Sequence, residues 1–213
     1  MRILVIGAHG RTGYRIVEQL RTHGHEVLGT VRQTQHLDTL RAIGAEGAVL
    51  DLMTATTTEI EALAARADAV VYAAGSGHGS PPNEVLRLDR DAIIAAADAS
   101  IAAGADRFML ISAHRADQDY GVPHIDHLLR AKRAADSHVS RLDLGWTIVR
   151  PDDLVDDPGQ GTVTIADEVP QGVLSRDDLA AVLVTAIELD LARCRRFEVI
   201  GGTREIEKAL HDL

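Results

Sequence analysis

The chain has 213 residues, with 22 Lys and Arg against 32 Asp and Glu, and a formal net charge of −10. That acidic balance argues against a nucleic-acid partner, because neutralising backbone phosphates drives such binding. The single cysteine, Cys194, excludes an intrachain disulfide and a cysteine metal site, and no apolar run approaches the ~20 residues of a membrane-spanning helix.

Strands and helices are expected to alternate from the start. Residues 3–6 are a short apolar run ending at Gly7, and residues 11–22 carry Ile16, Val17 and Leu20 at helical spacing. Residues 26–31 read as a strand, Leu37, Leu40 and Ile43 as a short helix closed by Gly44, and residues 47–50 as a strand. A helix over 58–66 and a strand over 68–73 follow, then the Gly-rich stretch 74–79. Residues 84–103 predict one long Ala-rich helix, 107–112 a strand, 125–139 a helix and 146–149 a strand. Residues 151–161 read as a polar loop and 162–165 as a short strand. Residues 177–189 predict a helix with Ser175 as N-cap, followed by a strand over 197–200 and a helix over 205–210. Hydrophobic residues make up 46% of the chain and aromatics 3%, so Ala, Val, Leu and Ile must build the core. Such a composition suits parallel strands buried on both faces. The expectation is an α/β fold: a Rossmann-type doubly wound parallel sheet in a single domain over 1–213, with a small substrate-side region in about 151–213.

Gly7, Gly10 and Gly13 stand between the first strand and the first helix. In that setting the spacing predicts a dinucleotide cradle: Gly7 permits a tight turn, Gly10 a close approach of the pyrophosphate, and Gly13 close helix–strand packing. His9, Arg11 and Thr12 complete the loop at a helix N-terminus, which offers free N–H donors to an anion. NAD-binding domains usually place an acid at the end of the second strand to hold the ribose 2′-hydroxyl. Here Arg32 stands there, and a guanidinium favours a 2′-phosphate. NADP(H) is therefore favoured over NAD(H), unless Arg32 is a solvated surface residue. Asp51 and Leu52, after the third strand, either border the adenine pocket or form a turn. No His-Glu-x-x-His or comparable metal-ligand spacing occurs, so no metal is expected.

These segments, with Ala73-Ala74-Gly75, residues 107–112, Lys132, residues 146–151, residues 175–180 and residues 199–202, resemble the atypical short-chain dehydrogenases/reductases over nearly the whole chain. Within that superfamily they look closest to the small NAD(P)H-binding subgroup of flavin reductase and biliverdin reductase B-like proteins. The resemblance implies a seven- or eight-stranded sheet, with Ala73, Ala74 and Gly75 against the cofactor and the nicotinamide near Ser112 and Lys132. It also brings His127 forward, because the stretch 126–132 looks like the reductase segment in which a histidine and a lysine occur. The superfamily's usual proton donor is a tyrosine four residues before the lysine. That position is Leu128 here, which puts ordinary ketone and alcohol chemistry in doubt. Substitutes are Ser112, His127, His124, His114 and Tyr120. On an ideal helix His124 lies about 80° and His127 about 140° from Lys132.

Three functions are compatible with these residues. The first is an NADPH-dependent reductase passing hydride to a flavin-, quinone- or tetrapyrrole-like acceptor, whose conjugated system lessens the need for a tyrosine acid. The second is a redox-sensing NADP(H)-binding protein, and the third a sugar epimerase or dehydratase. The expected partner is a small-molecule substrate, with no nucleic acid and no membrane, and the chain is expected to be a monomer or weak homodimer. No signal peptide is read at the N-terminus, and a cytoplasmic location is expected.

Overall fold

The computed structural model describes residues 1–77 and 79–213. Strand β1 (Arg2–Ile6) shows why the strands are apolar without alternation. Its Ile3 and Val5 belong to one buried core, and Leu4 and Ile6 to another on the opposite face. The first half continues with α1 (Arg11–Thr22), β2 (Glu26–Val31), α2 (Leu37–Ala42), β3 (Glu46–Val49), α3 (Thr57–Ala64) and β4 (Ala69–Tyr72). Then come α4 (Pro82–Leu86), α5 (Ala92–Ala102), β5 (Arg107–Ile111), α6 (Pro123–Val139) and β6 (Gly145–Pro151). The last part holds β7 (Asp153–Val155), β8 (Thr162–Ala166), β9 (Val173–Ser175), α7 (Arg176–Glu188), β10 (Arg195–Gly201), β11 (Arg204–Glu205) and α8 (Ile206–His211).

Among the described residues the main sheet has nine strands, in the order β11-β8-β10-β6-β5-β4-β1-β2-β3. From β3 to β10 every pair is parallel, and β8 runs antiparallel to both β10 and β11. The sheet is thus a Rossmann-type α/β sheet with an antiparallel edge, and it exceeds the seven or eight strands expected because β11 is a two-residue strand. Helices cover both faces. Leu20, Leu179, Leu183 and Ile187 pack on one, where α1 lies beside α7, and Ile60, Ile93, Ala135 and Val139 on the other. Strand order reverses between β1 and β4, and ligands of open α/β sheets bind at the carboxyl ends of strands there.

Two local differences from the sequence expectation bear on the site. The long helix over 84–103 is interrupted by a π-turn, Arg87–Asp91, between α4 and α5. A π-turn adds a residue to one turn and re-aims its side chains; here Asp89 is only 1% exposed. Residues 151–161 are not wholly loop, since β7 pairs in parallel with β9. Three-residue strands leave too little periodicity to read. Ser175 does cap α7, its hydroxyl accepting from the Asp177 N–H at 3.1 Å. Asp178 holds the preceding loop by accepting from the Gly161 N–H at 2.8 Å. No helix among the described residues is long and apolar enough to cross a membrane.

Candidate functional site

The ends of β1, β4 and α1 meet at the glycine loop. Gly7 has φ +86°, and a Cβ there would lie 2.8 Å from the Ala74 backbone nitrogen. A Cβ on Gly13 would lie 2.2 Å from the Gly7 carbonyl oxygen. Both positions therefore admit no side chain, as the spacing implied. Thr30 of β2 braces the loop, its hydroxyl accepting from the Gly7 N–H at 3.1 Å and its carbonyl from the Ala8 N–H at 2.9 Å. Gly10 is the N-cap of α1, no side chain caps it, and the first turn carries no acid. The helix start thus keeps its N–H donors and partial positive charge for an anion.

A cleft of about 310 Å³ opens beside this loop. Gly7, His9 and Gly10 form one wall, Arg32 the end of β2, and Asp51 and Leu52 the far side. Ala73, Ala74 and Gly75 close it after β4. Arg32 is exposed and, among the described residues, has no carboxylate within ion-pair distance. His36, which sequence reasoning did not single out, also lines the cleft and stacks on His9, with ring centroids 3.6 Å apart and planes 6° from parallel. Burial, then the charge of His36, lowers the proton affinity of His9. Asp51 lies at the far side of the cleft and also shapes a turn, its carboxylate accepting from the Met53 N–H at 3.0 Å. Arg11 and Thr12 do not line the cleft. The Arg11 guanidinium is turned to Asp156 at 3.0 Å, where Arg15 and Arg176 also converge. Burial would raise the Asp156 carboxyl, but Arg176, Arg11 and Arg15 together hold it low.

Lys132 of α6 is buried, and its Nζ lies 3.0 Å from Asp89 Oδ1 and 3.2 Å from the Ile111 carbonyl oxygen. Asp89 also accepts from the Ser76 N–H at 3.1 Å, which ties the strand-to-helix segment after β4 to the pair. A Cβ on Gly75 would sit 3.1 Å from Asp89 Oδ1, so backbone passes directly over the ion pair. Ser112 lies at the carboxyl end of β5, yet its hydroxyl donates to Asp136 at 2.9 Å. Asp136 is in turn held by Arg150, whose Nη2 is 2.7 Å away. Burial pushes the Asp136 carboxyl up, against the pull of Arg150 and Ser112. The Ser112 proton therefore points into a buried network. His127 is a second correction. α6 is helical from Pro123, so His127 faces away from the Lys132 side, and its Nε2 donates to the Pro82 carbonyl at 3.0 Å.

A second cavity, of about 550 Å³, lies on the other side of this segment, with Gly77 on its wall as Gly75 is on the first. Leu128 lines it, with Leu129, Ile125 and Val85. His124, His114 and Tyr120 also reach it. The opposite wall comes from Pro151 at the end of β6, Asp152, and Asp153 at the start of β7. The His114 ring is buried, with Nε2 3.0 Å from the Val169 carbonyl and 3.2 Å from Glu198 Oε2, and Nδ1 3.5 Å from Asp152 Oδ1. Among the described residues no group of three or more His, Cys, Asp or Glu is placed to hold a metal ion.

A nucleotide-sized cleft at the switch point of a Rossmann-type sheet, with a glycine cradle at its base, defines a dinucleotide-binding protein. The chain matches the NAD(P)H-binding family over residues 7–190 and belongs to it. A curated relative, the uncharacterized sugar epimerase YhfK of Bacillus subtilis, is 33% identical over the whole of both chains. A solved Bacillus halodurans protein that carries a provisional NAD-dependent epimerase/dehydratase name is 30% identical, with a TM-score of 0.90 over all of both chains. ChuY, an anaerobilin reductase from Escherichia coli O157:H7, shares the fold, with a TM-score of 0.81 at 18% identity over 96% of this chain and 99% of its own.

Proposed function

We propose that the protein is an NADPH-dependent reductase of the atypical short-chain dehydrogenase/reductase type, acting on a conjugated acceptor in the cavity lined by Leu128. The observation that carries this reading is the buried Lys132–Asp89 pair, which lies under the short segment separating the two cavities. Lys132 and Asp89 would stand beside the nicotinamide of a bound cofactor, which would supply the hydride, while water would supply the proton. Gly7, Gly10 and the first turn of α1 would hold the pyrophosphate. Arg32 at the end of β2, where no acid stands, and His36 beside His9 of the glycine loop support NADP(H) over NAD(H). Lys132 would hold the nicotinamide ribose, its charge kept in place by Asp89.

Leu128 supports a conjugated acceptor, because a delocalised system needs no positioned phenol when it accepts hydride. The sugar epimerase name of the B. subtilis relative suggests oxidation at a carbinol. That reaction needs a base for the hydroxyl proton, and Leu128 supplies none. The test is NADPH oxidation with riboflavin, FMN, quinones and biliverdin. Turnover with at least one is expected. Tight NADPH binding with no turnover on any acceptor would replace this reading with that of a redox-sensing binding protein.

A further inference from the structure

We propose that the cavity lined by Leu128 selects acceptors that carry no negative charge, and that Asp152 and Asp153 impose the selection. The proposal rests on the reductase reading and narrows its substrate class. The cavity wall is apolar at Val85, Ile125, Leu128 and Leu129, which suits a flat ring system. Its charged side chains are Asp152 and Asp153, and among the described lining residues there is no lysine or arginine. The cations nearby are already committed. Lys132 is paired with Asp89, and Arg150 with Asp136 and Asp117. His114 is committed as well, its ring nitrogens lying 3.0 Å from the Val169 carbonyl, 3.2 Å from Glu198 and 3.5 Å from Asp152. His124 and Tyr120, both exposed, are the remaining titratable groups among the described lining residues. Asp153 is exposed and its side chain has no ion pair among the described residues.

A phosphate, sulfonate or carboxylate entering this cavity would leave water to face carboxylates, with no fixed cation to replace its hydration. The nucleotide cleft is the reverse, with Arg32, His9 and His36 gathered against the single carboxylate of Asp51. The two cavities are thus sorted by charge, the anionic cofactor to one and an uncharged or cationic acceptor to the other. The reduction balances for both acceptor types. A neutral acceptor takes a hydride from NADPH and a proton from water, and a cationic one takes the hydride alone and becomes neutral; NADP⁺ leaves in each case.

Tricyclic conjugated probes of similar size test this: methylene blue as the cation, riboflavin as the neutral ring, and FMN and resorufin as anions. Their affinities for the NADP⁺-loaded protein are measured by calorimetry, independently of turnover. Methylene blue and riboflavin are expected to bind at least tenfold more tightly than resorufin and FMN. Asp153→Asn should shrink that ratio severalfold, as should Asp152→Asn. Asp153→Asn is the decisive variant, because Asp152 also accepts from the Gly172 N–H at 2.8 Å and its loss disturbs that loop. Glu18→Gln, exposed on α1, should leave the ratio unchanged. Equal or tighter binding of the anions, or an equal response to Glu18→Gln, overturns the proposal. The expected affinity order without NADPH oxidation by any probe upholds the charge selection and overturns the reductase reading. Efficient reduction of FMN and resorufin does the opposite.

Discussion

Lys132 and Asp89 meet as a buried ion pair, Nζ to Oδ1 at 3.0 Å, across the packing of α6 against the π-turn that joins α4 and α5. The lysine side chain is 9% exposed and the aspartate 1%. The carboxylate also receives the Ser76 N–H and hydroxyl, so one buried group orders both the lysine and the segment between the two cavities.

Removing one partner leaves the other charge buried and unmatched. Asp89→Ala is expected to cost about 3–5 kcal/mol of folding stability, measured by chemical denaturation. Lys132→Met should cost a similar amount alone and much less in the Asp89→Leu background. Simple additivity of the two single effects would show that the pair is not coupled.

Gly7→Ala forces a side chain onto the Ala74 backbone at a φ of +86°. A loss of about 1–3 kcal/mol is expected from the strain alone. Dinucleotide affinity should fall more than tenfold, because relief of the clash moves β1 away from β4. Fluorescence titration with NADPH reads this directly, and parental affinity would place the cradle elsewhere.

Arg32→Ala should separate the two cofactors. Loss of charge-assisted hydrogen bonds to a 2′-phosphate costs about 1.5–3 kcal/mol, roughly 10- to 150-fold in NADPH affinity. NADH affinity should be unchanged. Equal affinities for NADPH and NADH in the parent protein would refute the 2′-phosphate argument.

His9 gives the cleft a pH dependence of known sign. Its proton affinity in the folded protein lies below the ordinary value of 6.5, through burial and His36. The unfolded chain therefore takes up the proton first as pH falls, and stability declines on acidification below about pH 6.5. A bound phosphate favours the imidazolium, so NADPH should bind more tightly as pH falls through the same range, with net proton uptake. Calorimetry in two buffers of different ionisation heat measures that uptake. His9→Asn should reduce it. Unchanged proton uptake in this variant would remove His9 from the phosphate site.

Much of the framework was legible because it depends on local pattern. The glycine spacing, the apolar runs of β1 and β4 and the arginine at the end of β2 each report a backbone requirement or a position at a strand end. The contacts of Arg11 and His127 were not legible. Spacing puts Arg11 in the loop and turns His127 about 140° from Lys132, but the partner of each, Asp156 or the Pro82 carbonyl, comes from a distant part of the chain.

The sequence by itself determined a dinucleotide-binding α/β chain with no tyrosine at the expected distance from Lys132. Those features follow from residue type, periodicity and short-range spacing. Only the tertiary structure decided what surrounds the lysine. Asp89 reaches it because a π-turn rotates one side chain inward, His36 reaches His9 because a turn after β2 folds back, and Asp152 and Asp153 face Leu128 because β6 lies beside β5. These are long-range juxtapositions set by packing, and no local pattern encodes them.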